Sequence, residues 1–286
     1  MILWGSSYIA MKLALQGYAP LVIVFDRMLI ATLLFLPFYK KLAGFAYRSG
    51  DWKYFALLAV CEPCLYFLFD AYALQYTTAS QAGMVAALLP LFVAFLASFF
   101  LKERTTPAML LGFAIAVGGI LLLTLQSGVT ESAPNPLLGN GLELIAMCFA
   151  AGYTTVSRYL GMRYSALFLT AFQMFGGTLF FAPAAGFAAP HVPAAWPLIP
   201  SLAILYLGGG VSVGAYSLYN YGLRKISASQ AAAYVNLVPV FAVIFGRLVL
   251  DEQFTLWQSG GMGLVFLGVG VSALQTPIAQ SKKMMR

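Results

Sequence analysis

Charge is what this chain has least of: Asp, Glu, Lys and Arg together make up 9% of its 286 residues, against about 25% in a soluble globular protein. That shortage excludes a water-soluble enzyme. Histidine is nearly absent too: His191 stands alone in a Pro-rich stretch, and no His-Glu-x-x-His pair exists to hold a catalytic metal. Ser6 and Ser7 are conceivable nucleophiles, but no base neighbours them. Three cysteines, Cys61, Cys64 and Cys148, lie in apolar stretches and build neither a disulfide framework nor a paired-knuckle zinc site. Cys61-Glu62-Pro63-Cys64 lacks the strand-then-helix setting of a redox motif and reads as packing. The sixteen Lys and Arg are too scattered to make a stripe that neutralises a phosphate backbone. No nucleic acid, metal or cofactor is expected, and the net charge of +7 points to membrane orientation instead. No basic n-region precedes the first apolar run, so that run is expected to belong to the mature fold and not to a cleaved signal peptide.

What the chain does have is apolar length: 61% of its residues are hydrophobic and the mean hydropathy is +0.85. A helix needs about 20 mostly apolar residues to cross the hydrocarbon core. Cutting at charge clusters and at Gly, Pro, Asn and Ser breaks gives ten spans, approximately 2–17, 20–39, 53–74, 77–100, 107–126, 139–158, 165–186, 197–222, 227–250 and 256–275. The first is short for a full crossing, which places Met1 close to the bilayer edge. The expected architecture is an all-α membrane protein. Its first five spans occupy 1–126, an extracytoplasmic linker 127–138, and five further spans with a short cytoplasmic tail 139–286.

Lys and Arg accumulate in cytoplasmic loops. With both termini inside, Lys40, Lys41, Arg48, Lys53, Lys102, Arg104, Arg158, Arg163, Arg224, Lys225, Lys282, Lys283 and Arg286 fall on the inner side, thirteen of the sixteen basic residues. Lys12 and Arg247 approach the outer side, with Asn135, His191 and Glu252.

A shift of 149 positions aligns Tyr72–Gln126 with Tyr221–Gln275 without a gap, and sixteen positions are identical, among them Ala79-Ser80-Gln81-Ala82 with Ala228-Ser229-Gln230-Ala231, Pro90 with Pro239, and Glu103 with Glu252. Five spans is an odd number, so the second copy enters the membrane from the opposite side. Inverted repeats of this kind let one fold open to either side in turn.

Trp4-Gly5-Ser6-Ser7, Pro20 followed by Arg27, Ala79-Ser80 through Leu89-Pro90-Leu91, Leu101-Lys102-Glu103, and Gly112 with Gly118-Gly119 resemble, as an ordered set, the EamA family of the drug/metabolite transporter superfamily. The second half repeats the later motifs as Ala228-Ser229, Val238-Pro239-Val240, Leu250-Asp251-Glu252 and Gly261 with Gly268. The resemblance covers essentially the whole chain and is greatest to YddG-type amino-acid exporters. It implies a ten-helix exporter of small metabolites in a bacterial inner membrane. The second half departs from the pattern, with Ala151-Gly152-Tyr153 in place of Trp-Gly-Ser and Met174 where the first half has Arg27.

Polar residues at membrane depth usually face protein or a water-filled cavity. Glu62, Tyr66 and Asp70 recur every four residues on one stripe of the third span, and Ser212, Tyr216, Tyr219 and Asn220 make a comparable stripe on the eighth. Either the two stripes wall a central substrate cavity or their hydroxyls bond helix to helix. The fourth and ninth spans add Gln81 and Pro90, repeated as Gln230 and Pro239. Proline within a membrane helix frees a carbonyl, so both spans are candidate gates. Asn236 either offers a donor and an acceptor to a zwitterion or satisfies the carbonyl freed by Pro239. Arg27 either holds a substrate carboxylate or pairs structurally with an acid such as Asp70. Gly112, Gly118, Gly119, Gly260, Gly261, Gly263, Gly268 and Gly270 let the fifth and tenth spans approach a neighbour closely, as scaffold or as a homodimer contact.

The expected function is a secondary transporter that exports small zwitterionic metabolites, amino acids foremost, by alternating access. Multidrug export, a pore and an intramembrane enzyme are the competing readings. Proton coupling and facilitated diffusion both remain compatible with Glu62 and Asp70.

Overall fold

The computed structural model describes residues 1–38, 40, 47–101, 107–188 and 196–273. Of the residues used above to argue topology and repeat, Lys41, Lys102, Glu103, Arg104, His191, Lys282, Lys283 and Arg286 lie outside this set. The described residues form ten helical segments and no strand: α1 Ile2–Ala14, α2 Pro20–Phe35, α3 Trp52–Tyr76, α4 79–101, α5 Pro107–Leu125, α6 Pro136–Gly161, α7 Ala166–Ala188, α8 Leu198–Lys225, α9 Ala228–Val249 and α10 Leu256–Ala273. Seven of them, α3, α4, α6, α7, α8, α9 and α2 as prolonged by the tighter turn Leu36–Phe38, are long and apolar enough to cross a membrane, and two shorter apolar helices occur at Leu110–Leu125 and Leu256–Ser272. At about 1.5 Å per residue, the 13 residues of α1 fall short of a full crossing, as its sequence suggests.

Local chemistry sets where segments start. α2 and α6 each open on proline, whose missing N–H costs nothing in the first turn. Asn135 caps α6 by accepting from Leu138 N at 3.1 Å. α4 begins at Thr78, whose hydroxyl accepts from Gln81 N at 3.2 Å. α9 begins with a reciprocal box in which Ser227 accepts from Gln230 N and Gln230 accepts from Ser227 N.

Four helices are interrupted. α3 widens over Val60–Leu65, where Glu62 adopts extended backbone angles before Pro63, and α8 widens over Tyr206–Ala215. α4 tightens at Ala86–Leu88 and restarts at Leu89, and α9 pauses at Asn236 and restarts at Leu237. Pro90 and Pro239 therefore sit in the first turn of a fresh helical stretch. The break precedes each proline, because the ring cannot follow a helical carbonyl four residues back.

Two ends of the bundle can be told apart. At one, the Lys12 ammonium donates to the carbonyls of Leu74 at 2.8 Å and Ser132 at 2.5 Å, Asn135 N donates to Tyr76 O, and Gln258 donates to Ser127. At the other, Arg163 pairs with Asp51 at 2.6 Å, Arg158 donates to Leu223 O and Arg224 to Gly161 O. The second end carries Arg48, Lys53, Arg158, Arg163, Arg224 and Lys225.

α5 and α10 run antiparallel in close contact. A Cβ on Gly119 would stand 2.6 Å from Gly261 O, and one on Gly261 would stand 2.8 Å from Gly119 O; Gly112 and Gly268 oppose each other in the same way. Gly118, Gly260, Gly263 and Gly270 point away, with no heavy atom within 4 Å. The outer surface carries Leu110, Leu111, Phe175, Leu179, Leu202, Leu248, Leu256 and Trp257, all exposed. An apolar exterior of this kind suits lipid.

Candidate functional site

A chamber opens at the centre, walled by α1, α2, α3, α4, α6, α8 and α9. Trp4, Ser7, Tyr8, Arg27, Glu62, Tyr66, Phe67, Asp70, Tyr153 and Tyr216 supply its polar and aromatic lining, and Ala86, Met147, Ala150, Val211, Val235 and Val238 its apolar walls. Its cavity volume is about 40 Å³. Side chains crowd it in this conformation.

The interruptions of α3 and α8 position the key groups. Where α3 breaks, the Glu62 backbone turns extended, and its carbonyl accepts from Gln173 Nε2 of α7 at 3.2 Å. Its carboxyl shares the chamber with the Tyr216 side chain, and Oε1 is buried with no donor. Across the chamber Arg27 Nε donates to Ser212 Oγ in the widened turn of α8 at 3.1 Å, and its guanidinium stands 4.4 Å over the Phe67 ring. α8 reaches α2 this closely because residue 208 is glycine: a Cβ there would lie 2.8 Å from Ile30 Cβ and 3.1 Å from Arg27 O. Arg27 is thus held by a hydroxyl and a ring and faces Tyr216, Asp70, Tyr66 and Glu62 at longer range.

An aromatic box closes the chamber. Trp4 packs on Tyr216 at 5.3 Å and on Tyr219 at 4.6 Å between ring centroids, and Tyr216 also meets Phe67 at 6.0 Å and Tyr153 at 6.1 Å. Trp4 Nε1 is a buried donor with no acceptor.

Of the residues singled out in the sequence, Arg27, Glu62, Tyr66 and Tyr216 line this chamber together with Asp70. Tyr219 stands behind them against Trp4. Asn220 lies deeper: it accepts from Tyr153 at 3.0 Å and Ser157 at 2.5 Å and donates to Thr170 at 2.9 Å and Gln173 at 3.2 Å. All four of its hydrogen-bond sites are used to tie α8 to α6 and α7. Gln81 joins a second network, accepting from Asn140 Nδ2 at 3.0 Å and from Thr77 at 3.3 Å, while Asn140 also donates to Thr124 at 2.8 Å. Asn236 is half-buried at the break of α9, and its Oδ1 has no donor. Cys61 and Cys64 are buried free thiols.

Sequence reasoning missed Tyr8, Tyr153 and above all Glu143, a fully buried acid on α6 that accepts from the Tyr8 hydroxyl at 2.9 Å. A lone carboxyl inside an apolar span was the available signal.

A helical bundle with seven helices long and apolar enough to cross a membrane, around a central chamber of mixed charge, defines a multi-pass membrane protein. The EamA-like transporter family model matches residues 1–125 and 137–274, and this chain belongs to that family. It is 28% identical over 270 residues to an uncharacterized transporter of Archaeoglobus fulgidus, covering 94% of this chain and 93% of that one. It is 30% identical over 206 residues to the uncharacterized transporter YetK of Bacillus subtilis, over 71% of this chain and 62% of the relative. A probable terminal-alkyne amino-acid exporter of Streptantibioticus cattleyicolor is 24% identical over 251 residues, with 88% and 83% coverage. A solved crystal structure shares the fold with a TM-score of 0.66, covering 95% of this chain and 93% of its own at 19% identity.

Proposed function

We propose that this transporter exports small zwitterionic metabolites, amino acids foremost, by alternating access between two inverted sets of five spans. One observation carries the substrate class: the chamber presents a buried donor without an acceptor, Trp4 Nε1, and a buried acceptor without a donor, Glu62 Oε1. An unmade hydrogen bond in such a place is costly, and a molecule carrying both an ammonium and a carboxylate supplies both missing partners. Arg27 adds positive charge for the carboxylate, and the Val, Ala and Met walls accept varied side chains. The probable amino-acid exporter among the relatives supports the class.

The inverted reading is supported by matched detail. The caps Thr78 and Ser227 and the paired Gly112–Gly268 and Gly119–Gly261 contacts are each related by the 149-residue shift. Pro90 and Pro239, at the restarts of α4 and α9, then serve as gates on opposite faces. The basic end is cytoplasmic, with both termini inside a bacterial inner membrane. A homodimer would use the outward glycines of α5 and α10.

Reconstitution into proteoliposomes with a panel of radiolabelled neutral amino acids tests this. Saturable uptake with trans-stimulation is the expected result, weakened by Glu62→Gln and Tyr216→Phe in folded protein. Unsaturable flux would indicate a pore, and no amino-acid flux would move the substrate to drugs or other metabolites.

A further inference from the structure

On the outer side of α1 lies a second concavity, separate from the chamber. Ser6, Ile9, Ala10 and Leu13 of α1 line one wall, and Ile199, Leu202, Ala203 and Tyr206 of α8 line the other. Each set follows the i, i+3, i+4, i+7 spacing of one helical face, so two complete stripes look at each other across the seam. They do not close. Beyond one end a Cβ on Gly17 would stand 2.7 Å from Pro197 and 3.0 Å from Pro200, and at the other end the hydroxyls of Ser6 and Tyr206 are hydrogen-bonded at 2.6 Å. The two segments touch at both places, and between them the short side chains of Ala10 and Ala203 leave a trough of about 320 Å³. Its floor of Ile9, Ala10 and Ala203 is buried, while Ile199 and Leu202 stand exposed along its rim.

We infer that this trough is the docking site of one acyl chain of a membrane lipid. Its length fits: Ser6 to Leu13 and Tyr206 to Ile199 each advance seven residues, about 10 Å at the helical rise, within the roughly 15 Å of hydrocarbon in one leaflet. Its depth fits as well. α8 runs from the trough to Arg224 and Lys225, so the trough occupies the half of the bundle opposite the basic end. Trp196, 79% exposed, directly precedes Pro197 at the end of the seam, and tryptophan collects at headgroup level. The chemistry admits a chain without polar atoms. Ser6 Oγ donates to the Ile2 carbonyl at 3.0 Å, which leaves Tyr206 as the donor between the two hydroxyls. Both hydroxyl protons are therefore used, and a polar solute would find no free donor in the trough to replace the water it gives up. Lys12, the one basic residue of α1, gives its ammonium to the Leu74 and Ser132 carbonyls, so apolar burial and not headgroup charge holds the lipid. The other face of α1 carries Trp4, Ser7 and Tyr8 into the chamber. The docked chain thus braces the one helix that parts the bilayer from the chamber at this seam.

The site needs only the membrane setting of the helices and is independent of what the chamber carries. Its test uses the full chain in phosphatidylcholine liposomes containing a trace of phosphatidylcholine with a photoreactive diazirine on one acyl chain, the cross-linked peptides being mapped by mass spectrometry. Labelling of residues 6–13 and 199–206 should exceed, several-fold, that of the exposed Leu121 on α5, which lies in the same half of the bundle and reports ordinary lipid contact. Ala203→Phe, and Ala10→Leu from the other wall, fill the trough and should bring its labelling down to the α5 level in monodisperse protein. Tyr206→Phe keeps the apolar surface and should leave the labelling unchanged. Equal labelling of the trough and of α5 in the wild-type protein overturns the site, whatever the variants do to folding. Trough labelling that persists in a folded filling variant overturns it too. Labelling obtained only with an anionic phosphatidylglycerol probe would put recognition in the headgroup, and labelling by a photoreactive hydrophobic drug in place of the lipid would give the trough to a solute; either result overturns the acyl-chain assignment.

Discussion

The Glu252 carboxylate, in the turn after α9, closes the start of α4: it accepts from Ala79 N at 2.8 Å, and its second oxygen accepts from Ser80 N at 3.1 Å. A helix N-terminus carries unpaired N–H groups and a partial positive charge. One carboxylate from the other half of the chain thus answers both and ties the two halves together at the end opposite the basic cluster. Removing it by Glu252→Ala should lower stability by about 1 kcal/mol, the usual scale of a lost N-cap, with Glu252→Gln losing less. Thermal unfolding in detergent measures the loss, and an impermeant thiol reagent should label a cysteine at position 78 faster in the alanine variant.

The α5–α10 crossing predicts a sharp contrast between neighbouring glycines. Gly119→Leu drives a side chain into the Gly261 carbonyl and should cost about 1–3 kcal/mol or abolish folding, as overpacking does. Gly118→Leu meets open space and should leave the melting temperature unchanged. Equal behaviour of the two variants would contradict the close antiparallel contact.

At the basic end, Asp51 is buried but receives both Arg163 and Tyr164. Burial alone would raise its pKa, and these hydrogen bonds outweigh it, holding the carboxyl below its ordinary value. A carboxyl whose native pKa is depressed contributes stability above its unfolded pKa, about 3.9 for Asp. That contribution is lost as pH falls through the lower native value. Asp51→Asn should therefore melt earlier than wild type at pH 7, and the gap should hold down to the ordinary carboxylate range and close below it.

Asn220 and Tyr216, four residues apart on α8, should separate by phenotype. Asn220→Ala strands the partners on α6 and α7, each buried unpaired group costing about 1–3 kcal/mol, so loss of folded protein is expected before any specific transport defect. Tyr216→Phe removes a hydroxyl facing Glu62 in the chamber and should leave the melting temperature near wild type while reducing amino-acid flux.

The sequence by itself determined the helical class, the segment starts and much of the chamber, because each rests on local chemistry. Apolar runs, prolines at first turns and the four-residue spacing of Glu62, Tyr66 and Asp70 are read along one chain. Glu143 escaped because no partner lies on its own helix face; only the tertiary packing brings it the Tyr8 hydroxyl of α1. The eighth span shows the same limit from the other side. Ser212, Tyr216, Tyr219 and Asn220 form one stripe in the sequence, yet the widened turn at Tyr206–Ala215 sends Ser212 to Arg27 and leaves Tyr216 in the chamber, while Asn220 packs between α6 and α7. A helical period assumes a constant turn, and only the tertiary structure decided where the turn changes, because the glycines at 208, 209 and 210 permit the wide turn and the approach to α2 selects it.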